Sequence, residues 1–139
     1  MIRKGTYVLF LTLSEDVTLG IGSLGTVSLE KGNYCYVGSA MGGLDQRLGR
    51  HLSKEKKIRW HIDRLTVIAD NMYAYISTGD FIPECELAHI VEENGGLPAV
   101  KGFGCSDCHC KTHLFSVNPE ETAGILREKG LTKFVANFQ

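Results

Sequence analysis

One stretch decides the fold: residues 34–52, YCYVGSAMGGLDQRLGRHL. Because side chains alternate along a strand, Tyr34 and Tyr36 share one face of a β-strand that ends at a glycine turn. Leucines at four-residue spacing then predict a helix over residues 44–53 with a buried apolar stripe. The stretch therefore predicts a strand, a tight turn and an amphipathic helix in direct succession.

The polar face of this predicted helix carries cationic side chains beside the end of the strand. Arg47, His51 and Lys54 lie away from the leucine stripe. A planar guanidinium can bind two phosphate oxygens at once and neutralise charge that develops on them. Arg47 is therefore a candidate phosphate ligand, and an ordinary surface charge on a helix is the simpler alternative.

Length and composition indicate one globular domain spanning residues 1–139. The chain has 139 residues, 43% of them hydrophobic, which is enough to bury a core. Its net charge of −1 argues against nonspecific coating of nucleic acid. Between Arg47 and Arg64, however, seven Lys or Arg residues accompany two acids. This run suits a local encounter with phosphates, or forms a solvated basic surface.

Cysteine usage and hydropathy indicate a cytoplasmic protein without a membrane partner. Five cysteines, three of them between Cys105 and Cys110, fit thiols or metal ligands in a reducing compartment better than a disulfide framework. The apolar run near the N-terminus is short and meets Glu15 and Asp16, unlike a signal peptide. No run reaches the length of a membrane span.

Periodicity and turn residues predict the remaining elements. The expected strands are 5–13, 17–21, 25–29 and 32–38, as a meander of hairpins, then 66–77, and 113–117 as the last strand. The expected helices are 44–53, 58–65, 83–93 with Pro83 as first residue, and one capped by Asn118 that runs to residue 129. A loop over 95–111 and a tail over 131–138 that packs back complete the chain. Together they predict a single α/β domain with a small mixed or antiparallel central sheet flanked by helices.

Two tyrosine motifs and an arginine–histidine pair suggest a family. The motifs Gly5-Thr6-Tyr7 and Tyr36-Val37-Gly38, with Arg47 and His51 one helical turn apart, resemble the GIY-YIG nuclease superfamily. The chain is similar in more detail to a small family of prokaryotic proteins of uncharacterised function assigned to that superfamily. Its matching runs are 59–65, 84–88 and 102–114. The resemblance implies a small central sheet with helices around it, and it covers most of the chain.

The resemblance also implies roles for individual residues. The catalytic candidates are Tyr7, Tyr36, Arg47, His51 and His61. Either tyrosine is a candidate general base, helped by a neighbouring cation and a metal ion that favour the phenolate. His61 acts as a general acid oriented by Asp63, or both residues bond within a packed helix. The candidate nucleic-acid contacts are Gly38, Ser39, Arg50, Lys54 and Lys57.

One carboxylate is expected to hold a divalent Mg²⁺ or Mn²⁺ ion through its oxygens. The superfamily pattern selects Glu84, because an apolar pair follows three residues later, and Glu86 stays the alternative. The two cannot point the same way, because positions two apart on a helix lie about 200° around its axis.

The chain departs from the superfamily pattern at two points. The two tyrosine motifs are usually about ten residues apart, whereas 28 residues separate Tyr7 from Tyr36 here, so an extra hairpin must fit between neighbouring strands. Ser39 stands where many members carry a lysine. The missing lysine removes a positive charge beside the expected phosphate site.

The cysteine loop offers a second, different chemistry. The pairs Cys105 with Cys108 and Cys110 with His113 both have the spacing of zinc-chelating residues. Cys108, Cys110 and His113 are the candidate ligands, although consecutive ligands crowd one tetrahedral ion and a site that borrows Cys85 or His61 is easier to build. Free thiols that pack are the preferred interpretation, and zinc comes after it.

These observations lead to three functional hypotheses. The first is a metal-dependent endonuclease that cleaves DNA, including branched or damaged DNA, in repair or processing. The preference for DNA rests on relatives that resemble fusions to endonuclease III-like repair glycosylases. The second hypothesis is a nucleic-acid-binding module of the same fold without cleavage. The third is a zinc or thiol regulatory protein centred on residues 105–113. Protein partners are not indicated.

Overall fold

A computed structural model describes residues 3–105 and 110–135. The strands are β1 (Gly5–Leu13), β2 (Val17–Gly20), β3 (Thr26–Leu29), β4 (Gly32–Ala40), β5 (Met72–Thr78), β6 (Leu97–Pro98), β7 (Leu114–Ser116) and β8 (Thr132–Lys133). The helices are α1 (Leu44–Leu52), α2 (Asp63–Thr66), α3 (Glu84–Glu93) and α4 (Pro119–Glu128), with a 3-10 turn at Gly22–Leu24. In the part of the chain described, none of the helices is long and apolar enough to cross a membrane.

Six strands form one antiparallel sheet in the order β6-β7-β4-β1-β5-β8, and β2 pairs with β3 in a separate two-stranded sheet. The predicted fold class, an α/β domain with a small antiparallel central sheet, is confirmed. The predicted meander of consecutive hairpins is wrong, because β1 pairs directly with β4 along its whole length. The β2–β3 hairpin is the extra hairpin expected between the two tyrosine motifs.

The central strand β1 is buried on both faces, so helices must cover the sheet on both sides. Tyr7, Leu9 and Leu11 face one apolar cluster, to which α1 and α2 contribute their apolar side chains. Val8 and Phe10 face a second cluster completed by α3 and α4. Alternation along one strand therefore fixes which helices lie on each side of the sheet.

A buried carboxylate explains why the second helix is shorter than predicted. The side chain of Asp63 accepts hydrogen bonds from the backbone N–H groups of Arg59 and Trp60, at 2.8 and 3.0 Å, and holds that segment in a turn. The helix expected over 58–65 therefore begins only at Asp63. Asp63 also receives a bidentate ion pair from Arg50, which ties the turn to α1.

Other predicted boundaries shift by small amounts for local reasons. Pro83 caps α3 one residue before its first helical position, while Asn118 caps α4 as predicted through bonds to two backbone N–H groups. The strand at 114–116 is not the last one, because the tail adds β8 beside β5. β5 begins six residues later than expected, at Met72, after a turn at the end of α2.

The leucine stripe of α1 gives a direct test of the packing. The side chain of Leu48 is fully buried in the cluster beside β1, so Leu48→Ala should lower the free energy of unfolding by roughly 2–5 kcal/mol. Gln46→Ala, at an exposed position of the same helix, is the control and should change it by less than about 0.5 kcal/mol. Urea denaturation followed by circular dichroism measures the free energy of unfolding of both variants. Equal changes in the two variants would contradict the burial of Leu48 in the cluster beside β1.

Candidate active site

A cleft of about 430 Å³ opens beside the ends of β1 and β4, between α1 and α3. Its lining brings together the predicted residues Tyr7, Tyr36, Arg47, His51 and Glu84. Gly38 and Ser39, predicted as nucleic-acid contacts, also line the cleft, and Trp60, Ile62, Cys85 and Gly104 complete the lining. The five predicted residues come from four separate elements, so only the tertiary fold makes them neighbours.

Strand register brings the two tyrosine motifs into contact. Tyr7 of β1 pairs with Gly38 of β4, and the Tyr7 ring lies directly over that glycine. A Cβ atom at residue 38 would lie 2.4 Å from the Tyr7 hydroxyl oxygen, well inside van der Waals contact. Gly38 is therefore required to make room for the tyrosine ring, and its contribution to the cleft is space.

Tyr7 is hydrogen-bonded to a histidine that sequence periodicity placed on the polar face of α1. The Tyr7 hydroxyl lies 2.7 Å from Nε2 of His51. His51 is buried, whereas Leu52 is only partly buried, so the inward-facing row of the helix is Leu44, Leu48 and His51. The predicted polar orientation of His51 is wrong, because the row follows a helical spacing of four and three residues.

Burial controls the protonation of these aromatic groups. It raises the pKa of Tyr7 well above its ordinary value, with Tyr36 adding to the rise and Arg47 opposing it. Burial likewise raises the pKa of Tyr36, and again Arg47 only partly offsets the rise. Burial and nearby Lys56 lower the pKa of His51 to about 3. At neutral pH both hydroxyls are therefore protonated and His51 is a neutral imidazole. A neighbouring cation was expected to favour the phenolate, but burial raises the pKa of both tyrosines by more than Arg47 lowers it.

Two contacts orient Arg47 at the mouth of the cleft. Its Nη1 donates a hydrogen bond of 3.0 Å to the carbonyl oxygen of Ser39. Its guanidinium carbon lies 4.5 Å from the ring centroid of Trp60, and that of Arg50 lies 4.4 Å from the same ring. Trp60 was not predicted as a site residue. A single tryptophan within a run of cations was the available signal, because arginine stacks well on its ring.

Glu84, and not Glu86, faces the cleft. A carboxylate oxygen of Glu84 lies 3.0 Å from Nδ1 of His113, and its side chain is 28% exposed. Burial alone would raise the pKa of Glu84, but hydrogen bonds from His113 and Ser39 and the charge of Arg47 outweigh burial and lower it. Glu84 is therefore ionised at neutral pH, while Glu86 lies exposed outside the cleft lining.

The start of α3 is fixed by hydrogen bonds to the sheet. The hydroxyl of Thr6 donates to the carbonyl oxygen of Ile82 at 2.6 Å, and the N–H of Ile82 donates to the hydroxyl of Ser77 at 2.9 Å. These bonds hold the chain two residues before Glu84. Thr6 therefore helps to position the carboxylate.

Most cations of the basic run bind other parts of the protein. Arg50 pairs with buried Asp63, and Lys54 donates to the carbonyl oxygens of Thr66 and Ala69. Lys56 donates to backbone carbonyl oxygens at the end of α1. Lys57 is exposed. The nucleic-acid contacts expected for Arg50 and Lys54 stay predictions, and the structure gives both side chains a role in holding residues 53–66 against α1.

His61 and Asp63 occupy different surroundings. His61 lies in a smaller pocket beside the cleft, with its ring 5.5 Å from that of Phe103 and its Nδ1 3.4 Å from the N–H of Gly104. Hydrogen bonds from Arg50 and from the backbone of Trp60 and Arg59 outweigh the effect of burial and lower the pKa of Asp63 to about 2. Asp63 therefore serves the packed turn and does not orient His61.

The cysteine loop meets α3 at Cys85, which also lines the cleft. Sulfur atoms of Cys85 and Cys110 and a ring nitrogen of His113 all lie within 4.8 Å of one another. Cys108, a predicted zinc ligand, lies outside the described residues. Cys105 belongs to the loop but not to this cluster. Of the arrangements considered, the described residues therefore form the one in which Cys85 of α3 joins Cys110 and His113.

The buried His51 predicts a stability change with pH. Unfolded His51 binds a proton near pH 6.5 and folded His51 only near pH 3, so the unfolded state binds more protons between these values. Stability should fall as the pH is lowered from 6.5, by up to about 1.4 kcal/mol per pH unit from this group. Urea denaturation between pH 6.5 and 4.5 should give a shallower slope for His51→Gln than for wild type.

Exposed His89 provides the control, and His89→Gln should keep the wild-type slope. An unchanged slope in His51→Gln would show that the imidazole is not held neutral by burial.

Comparison with known proteins places the chain in a family. A family model described as a domain of unknown function, DUF123, matches residues 6–133, which include every residue of the cleft. No curated protein and no solved structure matches the chain. Because the family model spans nearly the whole sequence, the chain belongs to the DUF123 family.

Proposed function

We propose that this protein is a metal-dependent endonuclease of the GIY-YIG type that hydrolyses phosphodiester bonds in DNA. The observation that carries the proposal is the convergence of Tyr7, Tyr36, Arg47, His51 and Glu84 on one cleft. Phosphodiester hydrolysis needs an activated water, a cation for the phosphoryl oxygens and help for the leaving oxygen. The resemblance of the two tyrosine motifs to the superfamily supports the same reaction.

Arg47 is the phosphate ligand in this proposal. Its contacts with Ser39 and Trp60 fix the plane of the guanidinium before substrate arrives, which limits the entropy lost on binding. A guanidinium held in this way stabilises charge on the phosphoryl oxygens as the transition state forms. The stacking surface of Trp60 also limits the directions in which Arg47 can move.

Tyr7 and His51 act as a proton relay. A free phenolate is disfavoured by burial, so the attacking water gives its proton to the Tyr7 oxygen while the Tyr7 proton passes to Nε2 of His51. His51 is a neutral imidazole with a free acceptor role, but burial lowers its pKa to about 3, so its basicity must rise on substrate binding for the relay to work. A bound phosphate anion raises the pKa of a nearby imidazole and so increases its basicity when substrate is present. Tyr36, whose ring centroid lies 6.3 Å from that of Tyr7 in the same cleft, is the candidate to orient the attacking water.

Glu84 fits a hard divalent cation, Mg²⁺ or Mn²⁺. It is ionised, it faces the cleft, and it offers a single carboxylate, which suits an ion that keeps several waters. Such an ion would supply positive charge at the leaving oxygen. Glu84 also lies near enough to Arg47 for their charges to interact, which supports a role for both residues at the same phosphate.

A DNA-binding module without cleavage is the second candidate function. One observation favours it: Ser39 stands where many members of the superfamily that the chain resembles carry a lysine, so a positive charge beside the expected phosphate site is missing. Both candidates predict DNA binding, and only the endonuclease predicts strand cleavage. Nicking assays on branched, damaged and plain DNA with Mg²⁺ or Mn²⁺ separate them.

Glu84 and Glu86 form a matched pair for testing the metal-binding role. Glu84→Gln keeps the side-chain shape but removes the anionic ligand, so cleavage should be lost at every Mg²⁺ concentration tested while DNA affinity persists. Glu86→Gln removes the same charge from the exposed side of α3 and should behave as wild type. Loss of cleavage in Glu86→Gln alone would exclude the assigned metal ligand.

Arg47 is tested by removal of its guanidinium. Arg47→Ala should lower the rate of cleavage by about 10²-fold or more, because a donor to the transition state is lost. Arg64→Ala removes an exposed cation of the same run outside the cleft and is the control. Single-turnover cleavage rates and melting temperatures should be measured together. Cleavage at the wild-type rate in Arg47→Ala would remove this residue from the mechanism.

A further inference from the structure

A second cluster of metal-ligating side chains borders the cleft, where Cys85 lines it and His113 contacts Glu84. Cys85 comes from the first turn of α3, whereas Cys110 and His113 come from the segment before β7. His113 is fully buried and the two cysteines are partly buried. The three potential ligand atoms lie within 4.8 Å of one another although their residues are up to 28 positions apart in the chain.

We propose that Cys85, Cys110 and His113 bind one Zn²⁺ ion. Two thiolates and one imidazole form a soft donor set that suits zinc and not Mg²⁺ or Mn²⁺. Sulfur atoms bound at zinc in tetrahedral geometry are separated by about 3.8 Å, as follows from a zinc–sulfur distance near 2.3 Å. The cluster, with separations of up to 4.8 Å, needs to contract by about 1 Å at most. Side-chain rotation supplies such a movement without a change of the backbone.

Glu84 orients the histidine for this role. Nδ1 of His113 lies 3.0 Å from the Glu84 carboxylate. With the ring turned to align the N–H, a neutral imidazole would donate its Nδ1 proton there and keep the lone pair on Nε2. Histidine ligands of zinc commonly donate their other ring N–H to a carboxylate, which fixes the tautomer and strengthens the ligand. Nε2 of His113 is therefore the assigned zinc ligand, and Glu84 is its positioning residue.

The zinc ion would join α3 to the loop segment that precedes β7. Cys85 is adjacent in sequence to Glu84, and His113 contacts the Glu84 carboxylate directly. A metal ion bound by both residues would therefore hold the backbone of Glu84 through Cys85 and its side chain through His113. Zinc thus fixes the side chain that we assign to the catalytic cation. This consequence for cleavage rests on the proposed function, whereas zinc binding itself does not.

The first test is the metal content of the full-length protein. Protein produced in zinc-supplemented medium and dialysed should contain about one equivalent of zinc by elemental analysis. Its melting temperature should fall when a strong chelator removes the ion and return when Zn²⁺ is added back. Replacement by Co²⁺ should give the visible absorption of tetrahedral cobalt with thiolate-to-metal charge transfer. Absence of stoichiometric zinc together with no Co²⁺ spectrum would overturn the proposal.

Cysteine variants identify the ligands. Cys85→Ser and Cys110→Ser should each lose the zinc equivalent and weaken the charge-transfer band. Cys105→Ser is the matched control, since this thiol lies in the same loop but outside the cluster, and it should retain zinc. Retention of zinc in Cys85→Ser with loss in Cys105→Ser would assign the ion to the loop alone and overturn the site. The Co²⁺ spectrum of the wild-type protein decides the matter if a variant does not fold.

Glu84→Gln tests the positioning role. It should weaken zinc binding about 10-fold or more in competition with a chromophoric chelator, because a carboxylate behind a histidine ligand typically contributes that much. Unchanged zinc affinity would remove Glu84 from this role. These measurements use no DNA, so a protein that binds zinc and cleaves nothing would refute only the endonuclease. A protein that is purified without zinc, binds none when it is added and still cleaves DNA would refute only the zinc site.

Discussion

The close contact between Tyr7 and Gly38 is the constraint on which the site depends. The antiparallel register of β1 and β4 sets this pair opposite each other, and only a residue without a Cβ leaves room for the ring. The ring in turn directs its hydroxyl toward His51 on α1. A shift of the register by one residue would turn Tyr7 to the other face of the sheet, toward α3 and α4. The register of β1 and β4 therefore places Tyr7 for its hydrogen bond to His51, and that hydrogen bond favours the same register.

The cleft combines groups whose charge states are fixed by different causes. Burial keeps Tyr7, Tyr36 and His51 neutral, whereas hydrogen bonds keep Glu84 ionised despite partial burial. A site built in this way has one anion and one strong cation around neutral aromatic groups. In the reaction that we propose, a phosphate anion would meet Arg47 with no phenolate beside it.

Sequence reasoning predicted those features that depend on local periodicity. The α1 leucines and the Asn118 cap follow from residue spacing and capping preference, whereas the meeting of the two tyrosine motifs was expected from the family resemblance. The misses depend on specific side-chain hydrogen bonds, which periodicity does not contain. His51 faces inward because Tyr7 offers it a hydrogen bond. The helix at residues 58–65 is shortened because the Asp63 carboxylate binds two N–H groups of the preceding turn, and no propensity scale contains that interaction. The cysteine spacing, with Cys85 or His61 as a borrowed ligand, indicated a possible metal site, and of these two residues it is Cys85 that lies beside Cys110 and His113.

The β2–β3 hairpin between the tyrosine motifs has a thermodynamic consequence. Lengthening a connection costs only about 0.6 kcal/mol of loop-closure entropy for each doubling of its length. The hairpin places Ile21, Val27 and Leu29 in the apolar cluster beside β1, and each buried aliphatic side chain contributes about 1.5–3 kcal/mol. The burial of its own side chains thus exceeds the closure cost of the longer connection. The closure cost of the connection therefore does not fix the distance in sequence between Tyr7 and Tyr36, and the apolar side chains of an inserted segment offset part of the entropy lost in ordering it.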